Sequence, residues 1–306
     1  MSAEYYGLPT GRLENAHLRL DFLAQAGPRL VRLSLSGSED NLLAELPGIG
    51  WDTPYGRFLL YGGHRLWLSP ETLERTYVPD NSGLLVEKLG PGAVRLTQPA
   101  DAVTHIYKSI EIRLHPGRPA LTLRHTLVNQ GGSTVEQSAW AITQFPLGGW
   151  AVLPQTSQAV DAHSYLPNRN LVLWPYTHWQ DPRLHLRDEY ILLQGMPVQA
   201  PVKLGYLNRQ GWMAYRWRDY LFYKRFTPQE NVIYPDFGSN AEAYANHQFV
   251  ELETLAPLIR LEPGQSQEHI EAWEVRGGYA REQTPQSVLR DVEGFLKSLP
   301  DFLETG

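Results

Sequence analysis

The chain has 306 residues, 42% hydrophobic and 20% charged, a balance that suits one large globular unit. A net charge of −6 offers no basic field to nucleic acid or an anionic membrane, and zero cysteines exclude disulfides, thiolate metal sites and a cysteine nucleophile. No apolar run reaches the length of a membrane span, and Met1 to Leu20 lacks the charged-then-apolar order of a signal peptide, so a cytoplasmic protein is expected.

Short alternating runs bounded by Gly, Pro, Asn and Asp recur along the chain and predict strands and turns. His17 to Leu23 and Arg29 to Leu35 alternate with period two on either side of Gly27-Pro28. Next comes Tyr61-Gly62-Gly63-His64-Arg65-Leu66-Trp67, where paired glycines permit a close backbone approach beside an imidazole, a guanidinium and an indole. Those three groups suit an anomeric hydroxyl, a ring oxygen and a sugar face; a plain Gly-Gly turn with His64 and Arg65 satisfying nearby carbonyls is the other reading.

A hairpin is predicted from His105 to Asn129, turning at His115-Pro116-Gly117-Arg118-Pro119. His105 and His125 on it read as hydrogen-bonded structural histidines. Trp150 to Pro201, rich in Pro, Asn and aromatics, reads as long loops over a scaffold. A second hairpin is predicted over Lys203–Phe226, with turns near Asn208-Gly211 and Arg218-Asp219, and a third over Gln248–Val275, turning at Glu262-Pro263-Gly264-Gln265. The chain closes with a helix over about 284–299, capped by Thr284, with Pro285 at its first position and Pro300 past its end. Its apolar stripe (Val288, Leu289, Val292, Phe295, Leu296) is expected to pack on a sandwich rim. Many strands at hairpin spacing with almost no helical periodicity give an all-β antiparallel fold, sandwich or barrel, in a single domain.

Within the third hairpin, Glu251 and Glu253 share one face of a strand while Val250 and Leu252 take the other. Solvent exposure is one explanation; a groove with cationic or hydroxyl partners is the alternative, and burial there would raise a carboxyl toward general-base range. Tyr234, Asp236 and Glu242 precede that strand and add a phenol and two carboxylates. His163, His178, His185 and His247 lack paired metal-ligand spacing, so no metal is assigned, although a carboxylate-bound hard cation is left open. No phosphate loop, dinucleotide fingerprint or serine elbow is present, and no cofactor is expected. The 9 Trp and 16 Tyr against 9 Phe suit a carbohydrate site, as they also suit large sheets.

The Gly62-to-Trp67 turn, the Lys108 hairpin, Trp140-Ala141-Ile142-Thr143-Gln144 and the stretch from Glu251 to Trp273 together resemble the galactose mutarotase-like superfamily, which includes aldose 1-epimerase and glucose-6-phosphate 1-epimerase. The likeness, over roughly residues 12 to 276, is to a bacterial branch marked by GGHRLW, ELETLAPL, PGQS and Glu271-Ala272-Trp273. It implies a β-supersandwich with a sugar groove on its concave face. It also implies ring opening by a carboxylate base and a histidine acid. The base falls on Glu253, or on Glu251; Ala139 to Gln144, where the family carries its histidine, has none, so His64 is the candidate acid or substrate clamp. Arg65 and Lys108 would bind hydroxyls or an anionic substituent, with Trp67, Trp140, Gln144, Tyr234, Asp236 and Glu242 as further contacts. The functional expectation is an aldose 1-epimerase-like isomerase acting on a free or acidic sugar. A non-catalytic sugar-binding protein is the alternative, and a glycan lyase or hydrolase with an extended groove the third reading. The only partner expected is a small carbohydrate, with the chain a monomer or homodimer.

Overall fold

The computed structural model describes residues 4–159 and 161–299, so the expected role of Pro300 lies outside the described residues. Two large antiparallel sheets face each other, one of 11 strands and one of 10, and a two-stranded hairpin stands apart from both. Of the sandwich and the barrel that the alternation predicts, this is the sandwich. Its core is the layer between the sheets, filled by Leu and Ile from both inner faces. No helix among the described residues is long and apolar enough to cross a membrane.

Across the middle of the larger sheet run, in order, Arg29–Leu35, His64–Ser69, Val135–Pro146, Phe249–Leu255, Ala241–Ala245 and Val202–Tyr206. Period two divides each of them between an inner and an outer face. Leu66, Leu68, Ala139, Phe145, Val250, Leu252, Leu204 and Ala243 go inward. Trp67, Trp140, Ile142, Phe249 and Leu255 go outward, where the hairpin Glu45–Thr53/Gly56–Gly62 folds over them with Leu46, Phe58 and Leu60. The outer face therefore carries a second apolar cluster and is not simply wet.

The His105–Asn129 hairpin forms as predicted, Ile106 pairing with Asn129 and Leu114 with Leu121. Of the second predicted hairpin only the part that turns at Arg218-Asp219 forms, and the third does not form. Val202–Tyr206 pairs with Ala241–Ala245 in the larger sheet, whereas Trp212–Trp217 pairs with Tyr220–Arg225 in the smaller one. The segment between them crosses the sandwich, held by the Asn208 carboxamide, which accepts from the amides of Gln210 and Gly211. Likewise Phe249–Leu255 and Ser266–Arg276 belong to opposite sheets, with the predicted turn at Glu262–Gln265 linking them. Adjacent strands in sequence need not pair when both are buried on two faces, because alternation fixes a strand and not its neighbour.

The terminal helix spans Pro285–Ser298, capped reciprocally by Thr284 and Ser287. Val288, Val292 and Phe295 pack on Trp150, Val152, Ala214 and Tyr223, the outer face of the smaller sheet, rather than on the rim. The Trp150–Pro201 segment is less loop than expected, since it contributes Trp150–Pro154 and Tyr190–Gln194 to that sheet.

Candidate functional site

The register of the larger sheet sets the site. Gln144 pairs with Glu251 and Ile142 with Glu253; on the other side Tyr244 pairs with Glu251 and Glu242 with Glu253. Lys203 pairs with Tyr244, and Arg65 with Ile142. All these side chains point to the outer face, so three glutamates, a lysine and an arginine converge there from four strands. Gly205, opposite Glu242, leaves the room this needs, because a Cβ there would stand 2.5 Å from the Ser239 hydroxyl.

Lys203 is the hub. Its Nζ lies 2.8 Å from Glu242 Oε2 and donates to Glu253 Oε2 at 2.9 Å. It also stands 4.6 Å from the ring centres of both Trp140 and Trp174. Burial alone would discharge it, but the two carboxylates outweigh that and hold its pKa well above the ordinary lysine value. The Trp140 indole N–H donates to the same Glu253 oxygen at 2.8 Å. Two donors, one of them a cation, thus meet on one Glu253 oxygen.

Glu251 is different. Gln144 Nε2 donates to it at 2.7 Å, yet burial, and then the charge of Glu253, push its pKa up to about 8. Glu242 is fully buried and burial raises it well above the carboxylate range. Two neighbouring glutamates thus sit in opposite environments: Glu251 keeps its proton near neutrality, while Glu253 is paired with a cation.

Beside these groups opens a cleft of about 320 Å³, and Glu251 and Lys203 reach its wall. Trp51, Trp67, Tyr77, Trp140, Tyr176 and Tyr244 supply its rings. Burial holds the Tyr77 and Tyr176 phenols neutral. The buried indole nitrogen of Trp67, the Nε and Nη1 of Arg65, and the Oε1 atoms of Glu242 and Glu253 have no protein partner. Arg65 spends its Nη2 on Leu60 O and Gln144 Oε1 and lies 4.9 Å from the Trp67 ring centre. Native proteins leave few buried polar atoms unpaired, and such a concentration next to a cleft that Trp67 lines makes this the candidate site.

Several predicted residues are elsewhere. His64 shares its face with Leu66 and Leu68 and is fully buried between the sheets, on the opposite side of its strand from Arg65 and Trp67. No ligand in the cleft reaches it, and the expectation that it supplies the acid is not met. The paired glycines beside it admit the chain's own backbone: a Cβ on Gly63 would stand 1.8 Å from the Leu30 carbonyl oxygen. Lys108 is buried on Ile106–Leu114 in the other sheet, its pKa lowered by burial, and is no part of the cleft. Tyr234 is a loop staple whose hydroxyl accepts from Gln229 N at 2.8 Å. Asp236 lines two neighbouring depressions instead of the main cleft. Glu251, Glu253, Glu242, Arg65, Trp67, Trp140 and Gln144 are brought together as expected. Lys203, Trp174, Tyr77 and Trp51 were missed.

Between the sheets lies a second polar cluster, to which the larger sheet gives His64, Thr143 and Thr254 and the smaller one His125, Lys224, His269, Glu271 and Trp273. His125 Nδ1 faces the His269 carbonyl at 2.9 Å and must carry the hydrogen. His125 Nε2 then accepts from His64 Nε2 at 2.8 Å, and His64 Nδ1 accepts from the Thr143 hydroxyl at 2.9 Å. Thr143 in turn accepts from Lys224 Nζ, which pairs with Glu271 at 2.8 Å. His269 Nε2 donates to Thr254, and Thr254 and the Trp273 indole donate to Glu271. Ligand atoms of His64, His125 and Glu271 lie within 4.8 Å of one another, a spacing a metal ion could use. Here the ring nitrogens facing each other are already joined and an ammonium ion occupies the carboxylate, so a cation would have to displace Lys224. Burial keeps His64 and His125 neutral and pushes His269 down to about 3.

No protein-family profile matches the sequence, and no curated protein matches it. Solved structures do. A provisionally named aldose 1-epimerase from Escherichia coli K12 is 14% identical, with a TM-score of 0.53 over 89% of this chain and 100% of that one. A galactose mutarotase-like protein from Lactobacillus casei is 11% identical, with a TM-score of 0.54 over 87% and 100%. A TPR-domain containing protein from Parabacteroides distasonis is 12% identical, with a TM-score of 0.61 over 98% of this chain and 50% of that one. The chain has the galactose mutarotase-like fold, as the sequence resemblance implies; identities this low speak to fold and not to activity.

Proposed function

We propose that this galactose mutarotase-like sandwich binds a sugar in its outer-face cleft and interconverts the anomers of that sugar by acid–base catalysis between two glutamates. The observation that carries the reading is the contrast between Glu251, protonated up to about pH 8 at the cleft wall, and Glu253, two residues along the same face and held by Lys203 and Trp140. Alternate residues of a strand are about 7 Å apart, a span that brackets one sugar ring. Glu253 is fully buried behind the cleft-lining Trp140 and Lys203, and in this reading its Oε1, without a protein partner, takes the proton of the anomeric hydroxyl. Glu251 delivers its proton to the ring oxygen, the bond from that oxygen to the anomeric carbon breaks, and an open-chain aldehyde results. Rotation about the first carbon–carbon bond and reversal of both transfers give the other anomer, with Glu251 reprotonated and Glu253 again a carboxylate. Trp67 and Trp140 offer ring faces to the sugar's apolar side.

The cleft also narrows the substrate. Lys203 is engaged by two carboxylates and two indoles, and the nearest other cation, Arg65, is surrounded by Glu251 and buried aromatic rings. An anionic substituent would meet mainly carboxylates, so a neutral sugar fits better than an acidic one.

A second reading is sugar binding without catalysis, favoured by the absence of any histidine from the cleft wall. Saturation-transfer NMR of anomer exchange on a panel of neutral aldoses separates the two. The isomerase reading expects accelerated exchange for at least one aldose, falling at least about 100-fold in Glu251→Gln and in Glu253→Gln. Broadened sugar resonances with exchange at the uncatalysed rate would reject catalysis and leave binding.

A further inference from the structure

The cleft does not end at the sugar ring. A depression of about 300 Å³ shares Glu71, Tyr77, Trp140 and Lys203 with it, and continues past Pro70 and Leu73 to Trp174 and Asp236. A third, of about 350 Å³, shares Trp174 and Asp236 with the second and ends at Phe237. Three hollows with common walls form one trough.

The far end of the trough is built at a conformational cost. Asp236, Phe237 and Gly238 all have positive φ, at 48°, 55° and 87°. Glycine tolerates this region and aspartate visits it, but phenylalanine is a true outlier there. The turn is closed by Ser239 N donating to Pro235 O at 2.9 Å, while Ser239 Oγ donates to the Asp236 carbonyl at 2.8 Å. This strained turn holds the Phe237 ring 93% exposed. Packing gains nothing from a ring so placed, and strain that packing does not explain is where a binding role is sought. Trp174 stands between this ring and the cleft, already oriented by the Lys203 ammonium at 4.6 Å from its ring centre.

We infer that Trp174, Asp236 and Phe237 form a second sugar subsite, so that the ligand is a di- or oligosaccharide whose free reducing end lies in the glutamate cleft and whose next unit stacks on Phe237. An apolar sugar face needs an aromatic platform and its hydroxyls an acceptor; Phe237 and Asp236 supply the two side by side. This inference rests on the sugar-binding reading of the cleft and extends it along the trough. The anomeric carbon of a reducing-end unit is free, so the same proton transfers apply to it.

The test is calorimetric titration of the full chain with neutral mono-, di- and trisaccharides that share a reducing-end unit, repeated with Phe237→Ala. Phe237 makes almost no internal packing, so this variant keeps its fold. The tightest di- or trisaccharide is expected to bind about tenfold more tightly than its own reducing-end monosaccharide, and Phe237→Ala to remove that gain while leaving the monosaccharide within about twofold. A monosaccharide that binds as tightly as its longer relatives, or a Phe237→Ala loss equal for all lengths, overturns the subsite and leaves the cleft reading standing. Absence of binding at every length overturns the cleft reading itself.

Discussion

Two buried polar clusters, one between the sheets and one on the outer face of the larger sheet, look alike in composition and differ in completeness. On the inner face His64, His125, Glu271 and Lys224 form a closed network: each facing ring nitrogen and carboxylate oxygen has a partner, and the proton positions follow one from another. On the outer face Glu242, Glu253, Arg65 and Trp67 leave oxygens and nitrogens unpaired next to the cleft that Glu251 and Lys203 line. A titratable cluster is therefore not a site because it is buried or because it contains a histidine. It is a site where its hydrogen-bonding is unfinished and a ligand can finish it.

The comparison breaks if stability depends on the two clusters equally. Glu271→Ala strands the Lys224 ammonium between the sheets and is expected to cost about 3–5 kcal/mol in urea unfolding, since the group left behind is an uncompensated buried charge. Glu242→Gln leaves Lys203 still paired with Glu253 and puts an amide of the same shape in the carboxyl's place, so a change under about 1 kcal/mol is expected. Equal losses would mean that the outer cluster is as structural as the inner one.

A smaller effect sharpens the contrast through pH. Glu251 binds its proton more tightly in the folded chain, about 8 against 4.5, so its contribution to stability is complete below about pH 4.5 and is lost as pH rises through 8. The inner histidines act in the opposite sense. They stay neutral in the fold while the unfolded chain protonates them, so they lower stability as pH falls below 6.5. Urea midpoints measured across this range should fall at both ends, and Glu251→Gln should flatten the alkaline limb alone. In the proposed mechanism Glu251 acts as the acid, so anomer exchange should also decline above about pH 8. An alkaline limb unchanged by Glu251→Gln would show that its proton is not held as the cleft geometry requires.

Much of this was legible before the structure. Period two gave the fold class, the first hairpin and the shared face of Glu251 and Glu253, because alternation reports directly which side chains lie together. The same rule, applied to His64–Ser69, sets His64 with Leu66 and Leu68 against Arg65 and Trp67; the crowding of three chemical groups in one turn obscured that parity. Lys108, in line with Ile110 and Ile112, was open to the same reading. Lys203, between Val202 and Leu204, carried the signal of a charge on an otherwise apolar strand and was passed over within a supposed hairpin. Strand neighbours were not legible, because pairing across the sandwich depends on chain crossings that alternation does not encode. Trp174 and Tyr77 come to the cleft from connecting segments, which no period describes.

The most direct test of the account is the rate of anomer exchange in His64→Gln beside Glu253→Gln, each at matched folded concentration confirmed by circular dichroism. The account predicts that the His64 variant, weakened in the core, exchanges a bound neutral sugar within about threefold of the native rate per folded molecule, while the Glu253 variant loses at least about 100-fold. Exchange lost in His64→Gln and kept in Glu253→Gln would contradict it, and would return the chemistry to the inner face.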